Sequence, residues 1–303
     1  MTVLVLGANG QLGTELLRAL APLGRVVAAT RSGRLPEGAA CETADFDAPA
    51  SLAPLLDRIG PTAVVNAAAY TAVDRAEVEQ DLAWRVNAQA PGVLARWCAD
   101  AGVPLLHYST DYVFDGCGTR PYREDDPVAP LGVYGTSKLA GEEAVRQAGG
   151  RHLIFRTAWV YASHSRNFLR TMLRLGAERD ALSVVADQVG TPTPAAWIAE
   201  ASVRALQRAP ALSGTWHLTA AGQTSWHGFA QAIFAEAVAR GLLAKAPDIK
   251  AIPSADYPTP AQRPAWSVLD NHKLQRDTGI VLPPWQDGLA MVMAQIAAGQ
   301  ATR

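Results

Sequence analysis

The chain has 303 residues, 49% of them hydrophobic, which is enough apolar material for a large core. Its formal net charge of −1 gives no electrostatic basis for binding nucleic acid or an anionic membrane surface. The three cysteines, Cys41, Cys98 and Cys117, lack metal-type spacing, and their odd number argues against a disulfide framework, so we expect reduced thiols.

The amino terminus does not have the pattern of a secretory signal. It lacks a basic segment, and its apolar run ends at Gly7 after only a few residues. No apolar run in the chain approaches the roughly 20 residues that a membrane-spanning helix needs. We therefore expect a cytoplasmic protein with no nucleic-acid or membrane partner.

The first predicted unit is a strand, a glycine turn and a helix in direct succession. An apolar run over residues 3–6 leads into the turn, and a helical pattern follows over 15–20. Glycines permit a tight turn and let a pyrophosphate approach the free N–H groups at a helix N-terminus. The spacing is Gly-x-x-Gly-x-x-Gly rather than Gly-x-Gly-x-x-Gly. The residues of the predicted dinucleotide loop are Gly7, Gly10, Gln11, Leu12 and Gly13.

The second predicted strand, over residues 26–29, indicates the type of dinucleotide. In NAD-specific folds an acidic residue about 20 residues beyond the glycine loop binds the ribose hydroxyls. Here Thr30-Arg31-Ser32-Gly33-Arg34 follows the strand and contains no carboxylate. Arg31 can instead form a bidentate pair with a 2′-phosphate, although a basic surface loop is the alternative interpretation. NADPH is therefore preferred, with NADH as the second choice.

Further along, apolar strand patterns alternate with helical ones. The strands are predicted at 26–29, 63–65, 105–106 and 153–155, and helices at 82–101 and 138–147. This alternation predicts an α/β protein with a Rossmann-type doubly wound parallel sheet, and we assign residues 1–160 to an NADP(H)-binding domain. Shorter helices at 195–206, 225–240 and 285–297 indicate a smaller C-terminal α/β substrate domain over 161–303. As an alternative, the segment near 213–219 returns to the first domain as a strand.

Tyr134 and Lys138 are the residues most suited to acid-base chemistry. Lying four apart in a helical pattern, they share a face, so the ammonium can approach the phenol. A free tyrosine has a pKa of about 10, and a fixed positive charge is expected to lower that pKa. Thr110 ends the strand pattern at 105–110, where parallel sheets place their ligands, and can bond both a carbonyl and the phenol. An isolated Tyr-x-x-x-Lys would be an ordinary solvated face, but Thr110 and the glycine turn favour catalysis.

Together these residues resemble the extended short-chain dehydrogenase/reductase family, whose members use a Ser or Thr, a Tyr and a Lys after such a glycine turn. The resemblance is sharper to one subgroup, the dTDP-4-dehydrorhamnose reductases. The segments that carry it span nearly the whole chain: 66–74, 107–114, 133–142, 155–161, 187–193 and 257–264.

The resemblance implies contacts with the cofactor beyond the glycine loop. Tyr134 and Lys138 belong to this group, with the lysine on the nicotinamide ribose. Asp45 and Phe46 match a pair that lines the adenine pocket, although Phe46 alone would be expected in the core. The remaining implied cofactor residues are Ala67, Ala68, Ala69 and Tyr108.

The implied substrate is a nucleotide-linked 4-keto-6-deoxy sugar. Thr110, Asp111 and Trp159 match positions around the sugar, and the indole offers a flat apolar face and an N–H donor. Arg263 is expected to hold the diphosphate, unless it is a surface-loop residue. Asn167 and Gln188 are candidates for further polar contacts.

The implied activity is NADPH-dependent reduction of the C4 ketone of dTDP-4-dehydro-6-deoxy-L-mannose to dTDP-L-rhamnose. One alternative is another sugar-nucleotide 4-ketoreductase or an epimerase, which would share the Thr110, Tyr134 and Lys138 group. Another is a non-catalytic dinucleotide-binding subunit like the regulatory subunit of methionine adenosyltransferase, which resembles these reductases.

Metal binding is a point where the sequence departs from the family. Some members dimerise through Mg²⁺ held by glutamates, and Glu15 matches one such ligand. The second ligand position corresponds to Ala196, which has no oxygen to offer a hard cation. Glu200, four residues on, can substitute only if it faces the same way, and it is otherwise an exposed helix carboxylate. We expect no metal site, doubtful Mg²⁺ dependence, and a monomer or homodimer.

Overall fold

Strands and helices alternate along most of the chain in the computed structural model, which describes residues 1–208 and 212–301. The strands are β1 (Thr2–Leu6), β2 (Arg25–Thr30), β3 (Glu42–Thr43), β4 (Ala63–Asn66), β5 (Leu105–Thr110), β6 (His152–Thr157), β7 (Val160–Tyr161), β8 (Ala181–Val185), β9 (Val189–Gly190), β10 (Thr193–Pro194), β11 (Gly214–His217), β12 (Thr224–Ser225) and β13 (Asp248–Ile252). The α-helices are α1 (Gln11–Leu20), α2 (Leu52–Ile59), α3 (Val73–Ala76), α4 (Gln80–Trp84), α5 (Ala90–Ala101), α6 (Val133–Gln147), α7 (Phe168–Glu178), α8 (Ala195–Gln207), α9 (Trp226–Ala239), α10 (His272–Thr278) and α11 (Trp285–Ala301).

A seven-stranded parallel sheet, in the order β11-β6-β5-β4-β1-β2-β3, forms the centre of the fold. The chain order reverses direction between β1 and β4. In open parallel sheets this switch point leaves a crevice at the carboxyl ends of the strands, where ligands bind. The predicted α/β class with a doubly wound parallel sheet is confirmed.

Each face of the sheet is covered by its own apolar core. In β1, Val3 and Val5 belong to the core that includes Ile198 of α8, while Leu4 and Leu6 belong to the core that includes Leu94 of α5. Because both faces are buried, the strands are continuous apolar runs rather than alternating ones. That is why the short runs in the sequence could be identified as strands.

A third core organises the C-terminal part of the chain. Leu169, Phe229, Phe234 and Met293 contribute to it from α7, α9 and α11, beside the parallel pair β8 and β13. Other elements beyond residue 160 pack elsewhere: β11 pairs with β6, α8 packs against α1, and Leu274 of α10 belongs to the core that includes Ile198. The domain division at residue 160 stays a prediction, and residues 209–211 and 302–303 lie outside the described part.

The predicted helix over 82–101 is interrupted by a π-helical turn, Arg85–Gln89. Asn87, fully buried in this turn, donates to the Ser137 hydroxyl (3.1 Å) and exchanges hydrogen bonds with the backbone of Tyr70 (2.8 and 3.1 Å). The turn thus holds α6 against the neighbouring loop. These contacts join distant parts of the chain, so the local pattern could not indicate them.

No helix within residues 1–208 and 212–301 is long and apolar enough to cross a membrane.

Because α6 lies so close to the π-helical turn, a single methyl group added at Gly141 should lower stability. A Cβ added at Gly141 would lie 2.1 Å from the carbonyl oxygen of Asn87. We expect Gly141→Ala to lower the free energy of unfolding by about 1–3 kcal/mol, since backbone must shift to admit it. Gly299→Ala is the matched control, because within the described part of the chain a methyl there meets nothing within 4 Å, and alanine favours helix. Urea unfolding measures both; equal stability of the two variants would contradict the packing argument.

Candidate active site

The first turn of α6 brings Tyr134 to the end of β5. Glu77 caps this turn by accepting a hydrogen bond from the backbone N–H of Val133 (2.9 Å). Gly135 lets the helix lie against the preceding loop, because a Cβ there would be 2.2 Å from the Tyr112 carbonyl oxygen. The phenol of Tyr134 is consequently placed beside Thr110, close enough for Thr110 to influence its pKa.

Lys138, one turn further along α6, is buried with only 2% of its surface exposed. Its Nζ donates to the backbone carbonyl of Tyr108 in β5 at 2.6 Å. Burial lowers the pKa of Lys138 to about 8, and the Glu142 carboxylate opposes this shift. Glu142 is itself fully buried and accepts two hydrogen bonds from Arg156, at 2.9 and 2.8 Å.

The pKa of Tyr134 differs from the sequence-based expectation. Burial raises it well above its ordinary value, and the neighbouring Thr110 hydroxyl opposes the rise. The expected lowering by Lys138 is wrong for this arrangement, because desolvation dominates and the ammonium donates to the Tyr108 carbonyl instead. The phenol therefore stays protonated near neutral pH, as a proton donor requires.

Asp111 lies directly beside this group and is 2% exposed. Burial raises the pKa of its carboxyl to about 6, while interactions with Ser267 and with Thr110, whose hydroxyl donates to Oδ1 at 2.9 Å, oppose the rise. Its Oδ2 atom is buried and has no hydrogen-bond partner within the described part of the chain. A buried acceptor without a partner is costly, so this oxygen is suited to a ligand hydroxyl.

The glycine turn forms a cradle that side chains would fill. Gly7 has φ of +74°, and a Cβ there would lie 2.6 Å from the backbone nitrogen of Ala68. A Cβ on Gly13 would lie 2.1 Å from the Gly7 carbonyl oxygen. Gly10 is the N-cap of α1 and has no side chain to bond the first N–H groups, which remain suited to an anion. The residues predicted to approach a pyrophosphate are thus adjacent: Gly7, Gly10, Gly13, Ala67, Ala68 and Ala69.

Two other predicted residues of the turn serve packing. Gln11 donates to the Val160 carbonyl (3.4 Å) and accepts from the Asn167 amide (2.9 Å), while Leu12 packs against the core. Tyr108 offers its carbonyl to Lys138, and its hydroxyl bonds Ser202 of α8 at 2.6 Å.

Arg31 and the predicted adenine pair follow β2 and β3. Arg31 is exposed, and its side chain has no ion-pair or hydrogen-bond partner among the residues that the structure describes. Asp45 is half-buried, and its Oδ1 accepts from the Asp47 N–H at 3.0 Å. Phe46 packs in the core with 5% exposure, and its predicted contact with the adenine stays a prediction.

A cavity of about 980 Å³ lies between α7, β8, β13 and the loop at 254–263. Gln188 and Arg263 line it. Gln188 donates to the Ser254 hydroxyl at 2.9 Å, and Arg263 forms an ion pair with Asp74 at 2.7 Å. The cavity is large enough for a nucleotide-sized ligand, with the guanidinium of Arg263 at its wall.

Trp159 and Asn167, also predicted to contact substrate, have structural contacts of their own. Trp159 follows β6 with a φ of +47° and stacks on Trp226, with ring centroids 3.5 Å apart. One indole face is therefore covered by Trp226, and the contact of Trp159 with the sugar stays a prediction. Asn167 caps α7 by accepting from the Arg170 N–H (2.9 Å), and its amide donates within the protein; its substrate contact also stays a prediction.

Sequence reasoning missed three contributors to this site. Asp74 anchors Arg263, Glu142 lies beside Lys138, and Trp226 both stacks on Trp159 and lines the cavity. For Glu142 a signal existed, since it continues the four-residue spacing of Tyr134 and Lys138. The other two depend on contacts between distant segments.

The predicted metal-ligand position is engaged within the protein. Glu15 accepts a hydrogen bond from His164 (2.7 Å) and pairs with Arg18 (3.3 Å). Over residues 1–208 and 212–301, no three metal-ligating side chains come together. That the protein does not need Mg²⁺ remains a prediction.

Comparison with known proteins agrees with this geometry. The family model described as the RmlD substrate binding domain matches residues 1–298. A dTDP-4-dehydrorhamnose reductase of Burkholderia thailandensis is 48% identical over 305 residues, covering 98% of this chain and 99% of that protein.

Solved structures are similar over nearly the whole chain. A dTDP-4-dehydrorhamnose reductase of Bacillus anthracis in complex with NADP superposes with a TM-score of 0.86 at 32% identity, covering 97% of this chain and 99% of that one. A UDP-glucose 4-epimerase of Thermus thermophilus in complex with NAD has a TM-score of 0.81 at 20% identity, covering 99% of each chain. The second likeness extends to the fold alone.

The lowered pKa of Lys138 predicts a pH dependence of stability. The folded state releases this proton near pH 8 and the unfolded state near 10.5, so unfolding binds a proton between these values. Relative to Lys138→Met, the wild-type protein should therefore gain stability as the pH rises from about 8 to about 10. Urea unfolding at both pH values tests this. A difference between the two proteins that does not change with pH would contradict the assigned pKa.

Proposed function

Because the chain belongs to the RmlD substrate binding domain family, we propose that it is an NADPH-dependent oxidoreductase that acts on a nucleotide sugar. The substrate is dTDP-4-dehydro-6-deoxy-L-mannose, which is reduced at its C4 ketone. The product is dTDP-L-rhamnose, a precursor of cell-envelope polysaccharide. The observation that carries the proposal is a protonated, half-buried Tyr134 beside buried Thr110 and one helical turn before buried Lys138, in a chain that also has a glycine cradle and a nucleotide-sized cavity.

The chain's residues fit NADPH. Gly7, Gly10 and Gly13 leave the space and the free N–H groups that a pyrophosphate needs, and Arg31 is an exposed guanidinium just after β2. NADPH supplies a hydride to the sugar ketone when bound. Lys138 holds the nicotinamide ribose in this proposal.

Proton delivery is the task of Tyr134. Its phenol donates to the oxygen that becomes the C4 hydroxyl, and Thr110 aligns the carbonyl by hydrogen bonding. The resulting phenolate is a half-buried anion, which the Lys138 ammonium, one helical turn away, stabilises. Because Lys138 is buried and Tyr134 is half-buried, the electrostatic interaction between them is stronger than it would be in water.

Substrate recognition is proposed for both parts of the chain. Asp111 offers a free carboxylate oxygen, and Trp159 offers an indole N–H that has no partner among residues 1–208 and 212–301. Arg263, at the cavity wall, would exchange part of its interaction with Asp74 for the diphosphate. Gln188 is a further polar contact within the cavity.

An epimerase with the same fold is the second candidate, since the shared α/β framework and the Thr110, Tyr134 and Lys138 group serve both reactions. It would retain its cofactor and consume none, whereas the proposed reductase consumes one NADPH per product. A non-catalytic regulatory subunit would show no turnover at all. We further propose a cytoplasmic location, where NADPH is available, and a protein that does not require Mg²⁺.

The first test of this function is Tyr134→Phe. Removing the hydroxyl keeps the ring but deletes the proton donor, so turnover should fall by about 10²–10⁴-fold. NADPH binding should be retained. The measurement is loss of NADPH absorbance with dTDP-4-dehydrorhamnose, with the sugar product identified by NMR, and NADPH affinity by fluorescence.

The control is the wild-type protein in the same assay. If it consumes no NADPH, the proposed function is wrong. If Tyr134→Phe turns over at the wild-type rate, the function stands and the proton-donor assignment is wrong.

Arg31→Ala tests the choice of cofactor. The lost charge-assisted contact is to the 2′-phosphate alone, and it is worth about 1.5–3 kcal/mol, or roughly ten-fold or more in affinity. The affinity for NADPH should therefore fall by that factor, while the affinity for NADH changes little. Dissociation constants for both nucleotides give the answer, with Arg34→Ala as a neighbouring control. Equal weakening of NADPH and NADH would show that Arg31 does not bind the phosphate.

A further inference from the structure

We propose that Trp226 is a positioning residue for substrate: it holds the Trp159 indole in place from the cavity side. The inference rests on the proposed function. Trp226 opens α9 in the C-terminal part of the chain, whereas Trp159 follows β6 of the central sheet. Their ring planes are within 3° of parallel and their centroids are 3.5 Å apart.

The backbone of Trp159 shows why a support is needed. Its φ of +47° is in the left-handed region, which a bulky side chain rarely adopts and which persists only when the surroundings impose it. Gly190 provides part of those surroundings, because a Cβ there would lie 2.6 Å from the indole nitrogen of Trp159. The backbone N–H of Thr193 adds a hydrogen bond to the Trp159 carbonyl at 3.2 Å.

Strand pairing places Trp226 next to the indole of Trp159. In the antiparallel pair of β9 and β12, Thr224 is opposite Gly190 and Ser225 is opposite Val189. Ser225 then caps α9 by accepting from the Gly228 N–H at 3.0 Å, which fixes the first turn of the helix and hence Trp226. The indole of Trp159 is thus confined by Gly190 and by the stacked ring of Trp226.

Trp226 also reaches the cavity assigned to the nucleotide. It lines that cavity together with Phe168, whose ring centroid is 4.6 Å from its own. One indole therefore contacts both the cavity and the residue proposed to face the sugar. A ligand that fills the cavity would contact Trp226 and, through the stacked rings, would affect the orientation of Trp159.

If the stack positions Trp159, its loss should measurably weaken substrate binding. Stacked aromatic pairs contribute about 0.5–1.5 kcal/mol beyond area burial, so Trp226→Leu should raise KM for dTDP-4-dehydrorhamnose about two- to ten-fold. KM for NADPH should not change, because the glycine cradle is in another part of the molecule. Trp226→Phe keeps an aromatic ring and should recover most of the loss.

The decisive measurement is a double-mutant cycle of Trp226→Leu and Trp159→Leu, using KM and kcat of the full-length protein. If Trp226 acts through Trp159, the double variant is no worse than Trp159→Leu alone. Trp285→Leu is the matched control, since that indole packs in the same core against Phe229 but does not line the cavity. It should lower stability and leave KM unchanged.

Additive effects of the two substitutions would overturn the inference, as would an unchanged KM in Trp226→Leu. An equal rise of KM in Trp285→Leu would also overturn it, by showing a general loosening of this core. These outcomes leave the proposed function intact. A wild-type protein without turnover would instead contradict the proposed function, and this inference with it.

Discussion

The burial of the Lys138 ammonium is the constraint on which the site depends. An ammonium removed from water is costly unless it is hydrogen-bonded and faces a negative charge. The Tyr108 carbonyl supplies the bond at 2.6 Å, and Glu142 opposes the desolvation, with Arg156 in turn compensating Glu142. This arrangement is possible only if α6 lies very close to the central sheet.

Small residues and polar clamps make that approach possible. Gly135 and Gly141 bring α6 against the Tyr112 and Asn87 carbonyls, where any side chain would collide. Asn87 joins the π-helical turn to α6 through the Ser137 hydroxyl. The position of Tyr134 follows from this packing, because its helix is fixed along its length before any ligand arrives. Preorganisation of this kind lets a donor act without further rearrangement.

Much of this arrangement could be predicted from the sequence, for a physical reason. The glycine turn and the pair Tyr134 and Lys138 are local patterns whose spacing follows directly from strand, turn and helix geometry. The sheet was predictable because strands buried on both faces are continuous apolar runs.

The remaining features depend on residues far apart in the chain. Asp74 and Arg263 form an ion pair, and Trp159 meets Trp226 through the pairing of two-residue strands. Nothing in the local pattern signals these partners. The pKa of Tyr134 was mispredicted for a related reason: spacing indicates which charge is near, but burial decides which effect is larger.

The most direct test of the account is transfer of label from cofactor to sugar. With NADPH deuterated at the transferring position of nicotinamide C4, the account predicts dTDP-L-rhamnose that carries deuterium at C4 of the hexose, one per NADPH consumed. The hydroxyl proton should come from Tyr134 and ultimately from solvent. Product without deuterium at C4, or a changed sugar configuration without net NADPH consumption, would contradict it.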